Sequence, residues 1–230
     1  MTELAVSVFA SRAALDAALT ARLASALAAP GTHAVMLAGG TTPMNAYRAV
    51  ARQGVRRDER LHVLFSDERY VPADSTASNY YQSRPLLEAL ALPEEEILRV
   101  RTELTLDAAA ADYAERLSTL LSAGIHVGLG LLGLGADGHT ASLFSAADLE
   151  RARGRYALAV QRPDGMSAVS VSPEFLATVR EPLFVVAGAD KRDAVRALLA
   201  HSTALTAWRA VSGCTRVELW MDGAAAPPPA

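Results

Sequence analysis

Four times along this chain an apolar run with no polar face stops at a short corner of glycine or charge. AVMLA (34–38) runs into GGTTP (39–43), LHVLF (61–65) into SDERYVP (66–72), IHVGLGLLGL (125–134) into GADGH (135–139), and LFVVA (183–187) into GADK (188–191). A strand that is apolar on both faces has to be buried on both, which calls for a parallel sheet covered by helices. The intervening segments supply them. Leu15, Leu19, Leu23 and Leu27 recur at i, i+4 between Ser11 and Pro30, predicting an amphipathic helix over 11–29. Further helices are expected over 79–91 and 106–122, with EILRV a short strand between them. In GGTTP, Thr42 reads as an N-cap and Pro43 as the first position of a helix toward Gln53. YALAV (156–160) and the alternating SAVSVS (167–172) read as neighbouring strands, and VELWMD as a closing one. The expected fold is α/β: a mainly parallel, Rossmann-like sheet with helices on both faces, one domain over 1–222, followed by a disordered tail over 223–230.

Composition narrows the partners. With 22 basic and 25 acidic residues in 230, a net charge of −3 and no block of like charge, there is no footprint for nucleic acid or a membrane surface. Any anion site has to be local. The lone Cys214 rules out an internal disulfide and reads as a small residue near the core. The N-terminal MTELAVSVFASRAAL has neither a basic stretch nor a long apolar one, and no apolar run reaches the roughly 18 residues of a spanning helix, so a cytoplasmic protein is expected.

The corners tell where function lies. In a parallel sheet the carboxyl ends of the strands share one edge, where ligands bind. Three of the corners are expected to open helices, whose free N–H groups attract anions, so a phosphorylated ligand is the natural guess. Singly, each is weak. GGTTP suits any capped turn, Asp67, Glu68 and Arg69 suit a solvated turn, and Lys191 opposes a helix dipole only mildly. His33, His62, His126 and His201 have no glycine corner and are assigned to structure or solvent. Gly133, Gly135 and Gly138 satisfy G-x-G-x-x-G, but so do Gly128, Gly130 and Gly133, and the acidic residue after the next strand is missing because YALAV leads to Gln161 and Arg162. A nicotinamide or flavin is therefore not expected. No histidine or cysteine lies at ligand spacing from Asp137 and His139, so neither is a metal.

Taken together, LAGGTTP (37–43), FSDERYVP (65–72), the Ser78-Asn79-Tyr80 triplet, LLGLGADGHTASLF (131–144) and VAGADK (186–191) resemble the 6-phosphogluconolactonases of the pentose phosphate pathway, in order and spacing, over essentially the whole chain. That family shares its fold with glucosamine-6-phosphate deaminases and some sugar-sensing regulator domains. Deaminases typically continue the histidine corner as GHIAFNEP and carry DEY; GHTASLF and DERYVP here point to the lactonase branch. Three departures stand out: Gly128 in place of a frequent aspartate, Ser145 in place of a proline, and RPDGMSAVSVS in place of a proline-rich segment with an arginine. Arg162 lies a few residues early, and Gly165 and Met166 stand where that arginine belongs.

The resemblance implies hydrolysis of 6-phospho-D-glucono-1,5-lactone, a small-molecule substrate, without metal or organic cofactor. His139 is the candidate general base, imidazole being the side chain that titrates nearest neutrality, with Asp137 to orient it. Arg69 and Lys191, with Gly40 and Thr41, are expected at the phosphate and Asn79 at the sugar hydroxyls; Gly39, Thr42, Asp67 and Gly138 complete the expected site. Backbone N–H groups of the corners are candidate oxyanion donors. Two rivals remain: an amino-sugar phosphate deaminase or isomerase, which needs further acid/base carboxylates, and a non-catalytic sugar-phosphate sensor, which needs Lys191 and GGTTP but not His139.

Overall fold

Leu15, Leu19, Leu23 and Leu27 do what their spacing predicts: all four are fully buried on one face of α1 (Arg12–Leu27), which Ser11 caps by accepting from the Ala14 N–H. They pack on a sheet whose strands were read from their apolar runs: β2 (His33–Leu37), β3 (Leu61–Phe65), β5 (Ile97–Leu98), β6 (His126–Leu132), β9 (Glu181–Val186) and β10 (Arg216–Asp222), joined by β1 (Glu3–Phe9). The structure is a computed structural model that describes residues 2–228. The order across the sheet is β1-β10-β9-β6-β2-β3-β5, with every pairing parallel.

Alternation along the strands divides the core in two. Val35, Leu37, Val63 and Phe65 face α1, α2 (Thr41–Gln53) and α3 (Asn79–Ala89). Ala34, Met36 and Leu64 face the opposite layer with α4 (Leu106–Ser122), α7 (Arg192–Leu199), α8 (Thr206–Val211) and a second sheet. That sheet is antiparallel, β4-β8-β7, built from β4 (Asp67–Arg69), β7 (Ala157–Gln161) and β8 (Ser167–Val171). The short helices α5 (Ala146–Ala152) and α6 (Pro173–Leu176) flank it in sequence. Among the described residues no helix is long and apolar enough to cross a membrane.

Five sequence expectations are corrected. The antiparallel sheet was not foreseen, and SDER is its first strand rather than a solvated turn: Ser66 passes the chain between sheets, giving its N–H to Leu37 and its carbonyl to the Val171 N–H. Asp67 and Glu68 are accordingly buried. Thr42 is not the cap of α2; the helix starts at Thr41 because Gly40, at φ 89°, turns the chain in a way that leaves no side-chain cap. Only two of the four corners open helices, because after His139 the chain first pairs Thr140 with Leu143 and begins α5 at the Ser145/Asp148 capping box. VELWMD, expected to close the sheet, lies inside it as β10, because β1 adds a further strand at the edge. The tail begins packed: Ala225 is buried, Asp222 accepts the N–H groups of Gly188 and Ala225, and Arg192 donates to the Ala224 carbonyl. Residues 229 and 230 lie outside the described residues.

Two buried tyrosines finish the strands that lead to the site. Tyr47 of α2 donates its hydroxyl to the Ala38 carbonyl at 2.9 Å and accepts the Ala38 N–H at 3.0 Å. From the other layer, Tyr113 of α4 does the same for Phe65, at 2.6 and 3.1 Å. β5 ends opposite Leu64, so Phe65 has no strand partner on that side. Burial pushes both phenols above the usual tyrosine value, which keeps them protonated as donors. Tyr47→Phe and Tyr113→Phe each strand a buried N–H and a buried carbonyl, and each should cost about 1–3 kcal/mol in urea unfolding with an unchanged m value. A loss no larger than that of a surface Tyr→Phe control would show that the pins contribute nothing.

Candidate active site

β9, β6, β2 and β3 lie side by side, and the chain leaves β2 toward β3 but β6 toward β9. The loops after β2 and β6 therefore diverge at the carboxyl edge and leave a crevice between them, as parallel sheets do where the strand order reverses. The crevice is a cleft of about 230 Å³. Gly39, Gly40, Thr41 and Thr42 line it from the end of β2, Asp67 and Arg69 from β4, Gly133, Gly135 and His139 from beyond β6, Arg162 from the end of β7, and Lys191 from beyond β9. The cleft thus gathers most of the residues expected from sequence. Asp137, Gly138 and Asn79 do not line it.

His139 is held by its neighbours. Its ring Nδ1 lies 2.5 Å from Asp137 Oδ1, which also accepts the His139 backbone N–H at 3.3 Å. A carboxylate can only accept, so the proton is assigned to Nδ1, leaving the Nε2 lone pair free. The contact needs glycine at 135, where a Cβ would stand 2.1 Å from His139 Nδ1 and 2.3 Å from Asp137 Oδ1. Partial burial opposes the Asp137 charge, but the hydrogen bond and charge of His139 outweigh it and hold the carboxyl below the ordinary aspartate range. On its other side the imidazole packs on the Phe144 ring, centroids 4.3 Å apart.

Three expected ligand contacts have structural roles instead or in addition. Asn79 is buried behind the wall: its Nδ2 donates to the Asp67 carbonyl at 2.8 Å and its Oδ1 stands where a Cβ of residue 39 would be. It shapes the wall and does not itself line the cleft. Gly138 faces Leu205 and gives its carbonyl to the Ala207 N–H, which anchors the loop to α8. Asp67 does line the cleft, but Ser142 Oγ donates to its Oδ2 at 2.7 Å and Ser66 Oγ to its Oδ1 at 3.1 Å. Glu68, beside it, sits at the start of α3 and accepts the N–H groups of Asn79 and Tyr80 and the Ser78 hydroxyl. Burial raises its pKa against the pull of those hydrogen bonds. Ser142 and Phe144 were not singled out from sequence, although both lie in the LLGLGADGHTASLF stretch that drew attention to His139.

The cleft has cationic walls. Arg69 donates from Nη1 to the Ala77 carbonyl, and its buried Nε finds no acceptor among the described residues. Lys191 lies 3.4 Å from the exposed Asp190 carboxylate. The uncapped first turn of α2 adds free N–H groups at Gly40, Thr41 and Thr42. Such a site suits an anion held near a base, with room for water.

The chain is similar to known proteins over nearly its whole length. Residues 9–218 match the family described as glucosamine-6-phosphate isomerases/6-phosphogluconolactonase. A 6-phosphogluconolactonase of Nostoc sp. is 34% identical over 194 residues, covering 82% of this chain and 80% of that protein. A solved 6-phosphogluconolactonase from Trypanosoma brucei superposes with a TM-score of 0.82 at 27% identity, covering 98% of each chain. A monomeric glucosamine-6-phosphate deaminase superposes with a TM-score of 0.80 at 17% identity, a likeness of fold alone.

The Asp137–His139 contact is testable by titration. The Asp137 carboxyl carbon should titrate below the ordinary value of 3.8 by NMR, and in His139→Ala its midpoint should move up. The sign follows from linkage: a depressed folded pKa adds stability that is present above the unfolded value and is lost as pH falls through the folded one. An Asp137 midpoint that stays put in His139→Ala would show that the imidazole does not hold it.

Proposed function

The chain belongs to the glucosamine-6-phosphate isomerase/6-phosphogluconolactonase family, and we propose that His139 is the general base with which it works. The chain is an enzyme that hydrolyses 6-phospho-D-glucono-1,5-lactone to 6-phospho-D-gluconate, the lactonase step of the oxidative pentose phosphate pathway. The observation that carries the assignment of the base is the Asp137–His139 contact, which leaves Nε2 unpaired at a cleft with cationic walls.

In this mechanism His139 Nε2 takes a proton from a water molecule as its oxygen attacks C1 of the lactone. The carbonyl electron pair moves onto oxygen, where N–H groups of the glycine corners donate to it. Collapse of this intermediate restores the carbonyl and breaks the bond between C1 and the ring oxygen. The ring oxygen leaves with the proton returned by the imidazolium, giving a hydroxyl and a carboxylic acid that ionises. Asp137 orients the imidazole and stabilises its charged form. Arg69 and Lys191, with the N–H groups of Gly40 and Thr41, bind the phosphate. There is no redox change, so no nicotinamide or flavin is called for.

The rival chemistry, moving protons around an amino-sugar phosphate, needs further carboxylates at the substrate. Among the described residues Asp67 is the one carboxylate lining the cleft, and both its oxygens are engaged by serines. A sensor without catalysis has no use for a histidine held by an aspartate. On this assignment the chain acts as one domain, in the cytoplasm, on a small molecule and without a nucleic-acid or membrane partner.

Freshly generated 6-phosphogluconolactone, followed against its uncatalysed hydrolysis, is the assay. His139→Ala should lower kcat by about 10² to 10⁴ with an unchanged Tm; a variant with near-wild-type rate would remove the base assignment. Lys191→Ala should chiefly raise KM for the phosphorylated lactone. Ammonia release from glucosamine 6-phosphate at a comparable rate would favour the deaminase instead.

A further inference from the structure

At the tip of the β7–β8 hairpin, Arg162 is tied down on two sides. Its Nε and Nη2 donate to the Asp164 carboxylate, Nη2 at 2.8 Å, and its guanidinium lies 5.3 Å from the centre of the Phe144 ring that also backs His139. Only Nη1 is left, and its one partner among the described residues is the Ser142 hydroxyl at 3.4 Å, the outer limit of a hydrogen bond. This long side chain is 14% exposed, and it lines the cleft. Two tethers on a guanidinium with an almost idle third nitrogen fix a donor in place at the ligand's edge.

Arg69 stands nearby. Asp164 is held below the usual carboxylate range first by its hydrogen bond from Arg162 and also by the charge of Arg69, so both guanidinium groups act on one carboxylate. Arg69 keeps a buried Nε–H without an acceptor. Neighbouring cations with idle donors are satisfied together by an oxyanion with several oxygens, whereas a lactone carbonyl offers one.

The backbone register explains how an arginine at 162 serves this wall. Gln161 pairs with Ser167, and the Arg162 N–H donates to the Met166 carbonyl at 2.8 Å. Residues 162 and 166 are thus directly opposite in an antiparallel pair, where side chains share a face. A guanidinium introduced at 166 would start from the position facing 162 across the hairpin.

We infer that Arg162 is a specificity-determining residue of this cleft, binding the substrate phosphate from the first strand of the hairpin, with Asp164 and Phe144 as its positioning residues. This rests on the lactonase assignment. It adds a third cation to Arg69 and Lys191, and it makes one aromatic ring the common support of the anchor and the base.

The test compares kcat/KM for 6-phosphogluconolactone with that for unphosphorylated glucono-1,5-lactone, together with calorimetric binding of inorganic phosphate. In Arg162→Met the ratio and the phosphate affinity should each fall roughly ten- to hundredfold, the range for one charge-assisted contact. Arg162→Lys, which keeps the charge but loses the fork, should fall between. Arg162→Met combined with Met166→Arg should regain most of the ratio, which a structural role for Arg162 would not produce. An unmoved ratio, including an equal loss on both lactones, would overturn the assignment. So would a folded double variant no better than Arg162→Met. A wild-type chain without lactonase activity would sink the parent assignment, while loss of phosphate binding in Arg162→Met would still support the anchor.

Discussion

A parallel sheet buried on both faces leaves backbone donors and acceptors at the carboxyl ends of its strands, where no further strand pairs with them. Each such group has to be bonded or wetted, because a dry and unpaired one costs as much as several good contacts gain. Here two phenols meet that requirement from opposite layers, Tyr47 at Ala38 and Tyr113 at Phe65. Immediately beyond each pin the pattern reverses. Gly39–Thr42, Asp67 and Arg69 line the cleft, and the first turn of α2 keeps its N–H groups without a side-chain cap. The site is therefore the part of the sheet edge that the protein leaves for a ligand to complete.

Adjacent residues at this edge do different work because a strand alternates its faces. Asp67 turns to the cleft and the serines beside it; Glu68 turns away and holds the start of α3; Arg69 returns to the cleft. Through Asn79 the same helix start presses on Gly39, so the wall made by β2 is supported from the strand next to it. His139 depends on a similar economy of space: the absence of a side chain at Gly135 is what lets imidazole and carboxylate meet.

Much of this was legible in the residues because the relevant forces are local. The leucine repeat gave α1, the two-sided apolar runs gave the central strands, and the polar corners gave the edge that carries the cleft. What escaped depended on distant partners. β1 is apolar apart from Glu3 and Ser7, but it ends in no glycine corner and keeps Val6 and Val8 exposed; β10, more than 200 residues later, is what makes it a strand. SDERYVP is as polar as any surface turn, and its burial follows from β8 and Ser142, which no local pattern reveals. Asn79 has the chemistry of a sugar contact, but its bond to the Asp67 carbonyl and its packing against Gly39, which hold it in the wall behind the cleft, depend on a strand that no local pattern joins to α3. Arg162 looked misplaced by a few residues along the chain; across the hairpin it is opposite Met166.

The pairing of β1 with β10 also bears on how such a chain can be made. Residues 3–9 are synthesised well before residues 216–222, yet among the described residues that stretch is their sole neighbour in the sheet, and Thr2 likewise donates its hydroxyl to the Ser212 carbonyl. While the more than 200 residues between them are made, β1 has to wait without its sheet partner as the central strands assemble. An edge strand in that position is a standing invitation to the wrong partner. A chain truncated before residue 216 would lose more than its last strand, because it would also orphan its first.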